Sequence, residues 1–407
     1  MSEKNNKYTP NLRFPEFSGE WEEKNINDCF EFKQGVQCPV DLQALQKKDG
    51  YIRFIRIIDL TQSGEPPRYI ADPGLAHHIC KEDLFMVRYG SPGLVGYGYE
   101  GVIANNLFRL LPKFDMCTKF FKDILTALHK NIAALCGIGA LPAINFSTLG
   151  LLRISLPPTI AEQQKIASCL SAMDDLIAAQ AEKVEALKEK KTGMMQQLFP
   201  QPGETTPRLR FPEFTGEWEE KTLGEVSPVI FDGTHQTPHY VNSGIPFYSI
   251  ENIVSDKPCK YIAQDEHMSN TKKNKTEKGD ILITRIGTIG FAKIVDWDGE
   301  FSTYVSLATI KKSSLINTRY LLGYLQSEVY QKEMRSKSLM NAVPCKINME
   351  DLKNTRIAFP KEPKEQQKIA SCLSALDDQI AAETEKLTAL KDYKKGLMQQ
   401  LLPQPAK

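Results

Sequence analysis

Two stretches of this sequence spell nearly the same helix, and that duplication constrains what the rest of the chain can fold into. Residues 162–202 begin EQQKIASCLSAMDDLIAA and end MMQQLFPQP, while residues 365–405 begin EQQKIASCLSALDDQIAA and end LMQQLLPQP. In each, apolar residues recur at alternating spacings of four and three, the period of a seam that faces another helix. The first seam runs Ile166, Leu170, Met173, Ile177, Gln180, Val184, Leu187, Lys191, Met194 and Leu198. The second runs Ile369, Leu373, Leu376, Ile380, Glu383, Leu387, Leu390, Lys394, Leu397 and Leu401. The polar interruptions fall at the same places in both. One such stripe would equally suit a helix lying on a globular core. Two in one chain can pack on each other, and the polar positions then restrict the register. At 1.5 Å per residue each helix is roughly 55–60 Å long, which makes it a ruler.

The segments before the helices are duplicated too, but unevenly. TPNLRFPEFSGEWEEK at 9–24 recurs as TPRLRFPEFTGEWEEK at 206–221. Lys81, Asp83, Arg88, Gly90, Ser91 and Gly93 correspond to Lys278, Asp280, Arg285, Gly287, Thr288 and Gly290. Ile144, Asn145, Leu149, Arg153, Ile154 and Pro157 correspond to Ile347, Asn348, Leu352, Arg356, Ile357 and Pro360. A frame used twice carries two different intervening surfaces, as expected when one task is done on two different objects.

Within each copy the pattern predicts short strands, a bracing helix and a last strand leading into the long helix. YIRFIRIIDL (51–60), residues 83–103, IPFYSI (245–250) and residues 279–295 are rich in β-branched and aromatic residues with glycines at the turns. Residues 118–135 and 318–335 have helical spacing, and Asn145 and Asn348 stand at helix N-cap positions. The fold class expected is α+β: two α/β domains separated by two long helices that form an antiparallel coiled coil, with a pseudo-twofold internal repeat. The boundaries expected are 1–158, 159–200, 201–361 and 362–407.

Several function classes are excluded. With 407 residues, 41% of them hydrophobic and 25% charged, the chain can build ordinary soluble cores. Nine scattered cysteines without a CxxC pair or zinc spacing point to reduced thiols in a cytoplasmic setting. The polar start MSEKNNKYTP carries no apolar signal core and no apolar run is long enough to span a bilayer, so no membrane role is expected. There is no Walker A motif, no methyltransferase signature of Asn/Asp-Pro-Pro-aromatic type, no HExxH and no GxSxG. Gly96, Gly98 and Gly101 satisfy GxGxxG, but a strand-like VIANNLFRLL follows them, so a hairpin fits better than a dinucleotide site.

The side chains able to contact a nucleic acid fall in the divergent surfaces. DGTHQTPHY (232–240) offers Thr234, His235, Gln236, Thr237 and His239 for reading base edges from a loop. A metal on the two histidines lacks any supporting carboxylate or cysteine spacing. TKKNKTEKGD (271–280) places Lys272, Lys273, Lys275 and Lys278 in one loop, either a phosphate-contacting patch or a solvated lysine loop. Arg285 and Thr288, with Arg88, Tyr89 and Ser91 opposite them in the repeat, sit on glycine turns. Such turns either let the backbone approach a phosphate or form tight hairpins with the arginine in a structural pair. Arg53, Arg56, Asn105, Asn106 and Arg109 are the remaining candidates of the first copy.

The alternation of variable domain and near-identical helix, with FPEFxGEW openings and EQQKIA…LMQQL exits, resembles the specificity subunit of type I restriction-modification enzymes over essentially the whole chain. FDGTHQTPHYVNSGIPFYSIENI with GDILITRIGTIG is similar to a target recognition domain of that family. The resemblance implies a non-catalytic subunit that reads a bipartite target in double-stranded DNA, one half-site per domain. The helices would set the gap and dock two DNA-methyltransferase subunits, and translocating restriction subunits would join them. This chain would then bind no cofactor, with adenosylmethionine, ATP and Mg held by the partners. A net charge of only +1 fits weak DNA binding by the chain alone. A coiled-coil scaffold without DNA binding also explains the helices but leaves the divergent surfaces unexplained. A catalytic DNA enzyme is disfavoured by the missing motifs.

Overall fold

Residues 9–62, 64–136, 142–255 and 257–402 are described by a computed structural model. They form two units, residues 1–180 with 386–407 and residues 181–385, each dividing line falling inside a long helix.

The first unit opens with β1 (Glu22–Asn25), α1 (Ile26–Cys29), β2 (Phe30–Gln34), β3 (Tyr51–Ile55), α2 (Ile57–Thr61), β4 (Arg68–Ala71) and β5 (His78–Ile79). It continues through β6 (Leu84–Val87), β7 (Val95–Gly96), β8 (Gly101–Ile103), β9 (Leu107–Pro112), α3 (Thr118–Ala127) and α4 (His129–Ala134). Finally α5 (Phe146–Gly150) and β10 (Arg153–Leu156) lead into α6 (Ile160–Leu198). Its sheets have the orders β2-β9-β6-β7 and β4-β3-β8-β5, and β1 pairs with β10. The run Leu84–Val87 is buried on both faces. Leu84 and Met86 pack with Phe120, Phe121 and Ile124 of α3, while Phe85 and Val87 pack with Phe54, Ile55 and Ile103 of the second sheet. A strand between two cores has no polar face, which is why the sequence there is a continuous apolar run.

The second unit repeats the order with β11 (Glu219–Thr222), α7 (Leu223–Val226), β12 (Ile230–Asp232), β13 (Tyr240–Val241), β14 (Ile245–Tyr248), α8 (Ile250–Ser255) and β15 (Lys260–Ile262). After α9 (Gln264–Thr271) come β16 (Ile281–Thr284), β17 (Ala292–Ile294), β18 (Ser302–Thr303) and β19 (Leu307–Ile310). Then α10 (Thr318–Gln326), α11 (Glu328–Ser336), α12 (Met349–Lys353) and β20 (Arg356–Phe359) lead into α13 (Pro363–Leu401). The order β12-β19-β16-β17 matches the first unit strand for strand. The other sheet, β13-β15-β14-β18, carries its fourth strand on the opposite edge, and α9 lies against β18 where β5 lies against β8. Frame and variation thus separate by sheet.

Some local expectations needed revision. The chain turns after Ile55 and forms α2, because Asp59 accepts the Arg56 N–H at 2.8 Å and caps a helix there. The two bracing stretches each break once, at Leu128 and at Ser327. Asn145 accepts the Ser147 N–H at 2.9 Å, whereas Asn348 donates its amide to Asp351 at 3.1 Å. GxGxxG links β7 of one sheet to β8 of the other, so it is a crossover between sheets and not the hairpin expected.

Within each unit the two long helices lie antiparallel. In the first, Lys394 pairs with Asp174, and Leu401 packs in the core that holds Ile166 and Leu170. In the second, Lys183 meets Glu383 at 2.5 Å and Lys191 meets Asp377 at 2.6 Å. The polar interruptions of the seam are therefore register pins. Ile166, Leu170, Ile369 and Leu373 are buried beneath the domains, while Ile177, Leu187, Ile380 and Leu390 are half-buried.

The start of each helix is clasped by the duplicated opening. Glu162 accepts from Arg13 Nε and Nη2 at 2.7 and 2.8 Å and from Trp21 Nε1 at 3.2 Å. Glu365 accepts from Arg210 at 2.8 and 2.8 Å and from Trp218 at 3.3 Å. The next residue, Gln163 or Gln366, accepts the backbone N–H of Cys117 or Asn317 at 2.9 or 2.7 Å, capping α3 or α10. FPEFxGEW and EQQ are two halves of one clasp.

One buried titratable group gives a pH expectation. His267 on α9 is 2% exposed and shares a hydrogen bond with Ser302 on β18 at 2.9 Å. Burial pushes its imidazole below the usual value, against the pull of nearby Glu300. The unfolded chain takes up a proton near pH ~6.5 that the folded one resists, so stability is complete above that pH and falls as the pH drops towards the folded value. We expect the urea midpoint of the second unit to fall between about pH 7 and about pH 5.5, and His267→Gln to flatten that slope.

Among the described residues no helix is long and apolar enough to cross a membrane, and no cluster of three metal-ligating side chains occurs. All nine cysteines are free thiols.

Candidate nucleic-acid interface

The glycine turn after β16 places Arg285 inward. Its Nη1 donates to Asp232 Oδ2 at 2.7 Å and to the Val305 carbonyl at 3.2 Å, and its Nε donates to the Ile347 carbonyl at 3.2 Å. Asp232 also accepts from His235 Nε2 at 2.9 Å, so one carboxylate ties the DGTH loop to the turn. The arginine takes the structural role and leaves Thr288 exposed at the tip. Thr234 bridges to Tyr304, and Gln236, Thr237 and His239 are exposed beyond it. The His239 N–H donates to Glu266 at 3.3 Å, which anchors the far side of the loop.

The first unit builds the same clasp from different residues. Arg88 Nη1 donates to Gln34 Oε1 at 3.0 Å and its Nε to the Ile144 carbonyl at 3.3 Å, and its guanidinium lies 4.6 Å from the Phe146 ring centre. Gln34 stands where the second unit has Asp232, and its amide donates to the Asn105 carbonyl. Tyr89, Ser91, Asn105 and Asn106 are half-buried around this turn.

The remaining candidate arginines of the first unit, Arg53, Arg56 and Arg109, are held by protein partners. Arg53 and Arg56 both bind Asp59, at 2.6 and 3.0 Å. Arg109 reaches Asp83 at 3.4 Å and the Ala76 carbonyl at 3.3 Å. In the lysine loop Lys275 pairs with Glu300. Lys272 and Lys273 are exposed and meet no carboxylate among the described residues. Sequence reasoning missed Gln34, Asp59 and Asp232, because nothing local marks a polar residue as an arginine's partner 54, 6 or 53 positions away.

Each unit thus holds its polar loops on an arginine clasp built into the shared frame, while the residues offered to solvent differ. Such a scaffold can present hydroxyl, amide and imidazole groups to base edges and lysines to phosphates.

Comparison with known proteins agrees with this arrangement. The family model for the type I restriction modification DNA specificity domain matches residues 18–189 and 215–392, most of the chain. The MjaVIII specificity subunit of a type I restriction enzyme from Methanocaldococcus jannaschii is 23% identical, over 98% of this chain and 95% of its own length. The MjaIX specificity subunit of the same organism is 24% identical, over 74% of this chain and 69% of its own. The crystal structure of a type I restriction-modification S subunit from M. genitalium superposes with a TM-score of 0.61 at 18% identity, covering 98% of this chain and all of that one. A chain from a study of complex assembly in the type I R-M system gives 0.59 at 16% identity, over 94% of this chain and 97% of that one. These two structural likenesses are of fold.

Proposed function

Because this chain belongs to the family of type I restriction-modification DNA specificity subunits, we propose that each of its units reads one half of a bipartite target in double-stranded DNA. It is a recognition subunit with two recognition domains, not the catalytic component. The observation that carries the half-site reading is the contrast inside the repeat: the clasp at Arg88 or Arg285 is kept, while Gln34 with Asn105 in one unit answers to Asp232 with His235 in the other. In the second unit Thr234, His235, Gln236, Thr237, His239 and Thr288 take the base edges, with Lys272 and Lys273 on phosphates. In the first, Tyr89, Ser91, Asn105 and Asn106 do so, with Arg53, Arg56, Arg88 and Arg109 holding the readers in place as Arg285 does in the second. The recognition domains span 1–158 and 201–361, and the spacer helices 159–200 and 362–407.

The test is methylation mapping in a host expressing this chain with its partners. Exchange of His235 and Gln236 for alanine is expected to relax one half-site and leave the other unchanged. Relaxation of both halves, or of neither, counts against the assignment.

The helices support the choice of partner. Gln164, Ser168, Ala172, Asp175 and Ala179 line an exposed face of α6, and the exposed Gln367, Ser371, Ala375, Asp378 and Ala382 repeat it on α13. Solvent does not require identity at exposed positions, whereas two copies of one protein partner do. We read these faces as docking sites for two DNA-methyltransferase subunits, which hold adenosylmethionine. Translocating restriction subunits, with ATP and Mg, join that core in the cytoplasm. Replacing Ser168 and Ser371 with arginine keeps good helix formers on both faces. It is expected to abolish copurification of the methyltransferase while thermal unfolding of the chain shifts little. Undiminished copurification would put the docking site elsewhere.

A further inference from the structure

The second unit contains a cavity of about 430 Å³ between the variable sheet and the turn that carries Gly287. That size falls within the range of small-molecule sites. Three aromatic rings form its wall. Phe247, 2% exposed, stands 6.0 Å from the Tyr240 ring and 6.2 Å from the Tyr304 ring, both inclined to it. Lys260 Nζ lies 4.3 Å from the centre of the Tyr240 ring, on the cavity lining. Ser306 also lines it, is 6% exposed, and its Oγ has no hydrogen-bond partner among the described residues. A buried hydroxyl left unbonded costs free energy, so an unbonded hydroxyl in a cavity wall marks a place where a ligand atom supplies the bond.

The repeat provides a comparison. At the place of Tyr304 the first unit has Ala104, fixed by the equivalent bridges Val36–Ala104 and Thr234–Tyr304. At the place of Ser306 it has Asn106, since both backbone carbonyls accept the N–H of the clasp arginine at 2.9 Å. Asn106 Oδ1 is likewise buried without a partner among the described residues. The unbonded polar atom belongs to the shared recognition frame, and the aromatic wall belongs to the second unit.

We propose that this cavity receives a nucleobase turned out of the duplex, stacked on the tyrosine rings with Ser306 Oγ bonded to its edge. The inference rests on the DNA-reading role above and goes beyond it: this unit reads one position outside the helix stack. Aromatic walls supply stacking to any base, and the single hydroxyl supplies a hydrogen bond to the edge that pairing normally covers. The base concerned is separate from the one a methyltransferase partner would modify.

The experiment uses the full chain in complex with its methyltransferase subunits and a duplex carrying the mapped target. A mismatch is introduced at one position at a time and the dissociation constant is measured by fluorescence anisotropy. A mismatch removes part of the unpairing cost, so a position that is turned out binds roughly tenfold tighter. The expected result is such a gain at one position in the second unit's half-site, other than the methylated base, and its loss in Tyr304→Ala and Ser306→Ala. Alanine already stands at the first position in the other unit, so the frame accepts it. A gain confined to the methylated base, with both variants like wild type, overturns the proposal while leaving DNA reading intact. Failure to bind the matched duplex at all overturns both. A second arm titrates free adenosine and thymidine against the complex. Tyr304-dependent binding of a nucleoside, with no responsive duplex position, overturns the assignment to DNA.

Discussion

Glu365→Ala is expected to destabilise the second unit by about 3–5 kcal/mol, the cost typical of removing one partner from a buried ion pair. Glu365 is 1% exposed and takes two hydrogen bonds from Arg210 and one from the Trp218 indole. The variant leaves the guanidinium, whose side chain is 18% exposed, with only the carbonyls of Thr215 and Gly216 as acceptors, and leaves the buried indole N–H with none. Arg210 keeps some solvent, which places the effect towards the lower end of that range. Glu365→Gln retains an acceptor and is expected to cost about 1–3 kcal/mol. Lys368 with Glu213 is an exposed pair a few residues away and serves as the control, its loss costing less than about 1 kcal/mol. Urea unfolding read by Trp218 fluorescence checks all three. The matching loss at Glu162 should act on the first unit and be read by Trp21. A Glu365→Ala variant no less stable than the exposed control would mean that the clasp does not hold the helix to its domain.

How much of this was legible in the sequence depends on the range of each interaction. The long helices announce themselves because a seam writes its period into neighbouring residues, and the repeat supplied a second copy for comparison. Their polar interruptions were visible as interruptions, but that Lys191 answers to Asp377 and Lys394 to Asp174 depends on contacts 186 and 220 residues apart. FPEFxGEW was visible as a repeat and silent about its purpose, since Arg210 meets Glu365 across 155 residues. At β3 the alternating pattern suggested a longer strand, and a local cap from Asp59 ended it. The arginines on the glycine turns stood out in the sequence, but a guanidinium fork fits a carboxylate as well as a phosphate, and the partner it faces, Asp232 or Gln34, lies more than fifty residues away. Ser306 gave no signal at all. A serine just before a strand is unremarkable until its hydroxyl is found buried and unbonded.

The second large effect concerns the gap between half-sites. α6 and α13 are each unbroken for 39 residues, and the division between units falls after Gln180 in one and after Glu385 in the other. Pairs such as Asp174 with Lys394 lie wholly on one side of those points, and Lys191 with Asp377 wholly on the other. Inserting seven residues of matching pattern at both points therefore leaves the seam inside each unit in register and adds two helical turns to each rod, roughly 10 Å. In the proposed reading that length corresponds to about three base pairs of duplex rise. Lengthening only one helix would put the seams out of step and is expected to destroy activity.

Methylation mapping of a host expressing the doubly lengthened chain with its partners is the most direct trial of this account. Both half-site sequences should persist, separated by about three more base pairs than in the parent. An unchanged gap, or a new sequence in either half, would contradict it.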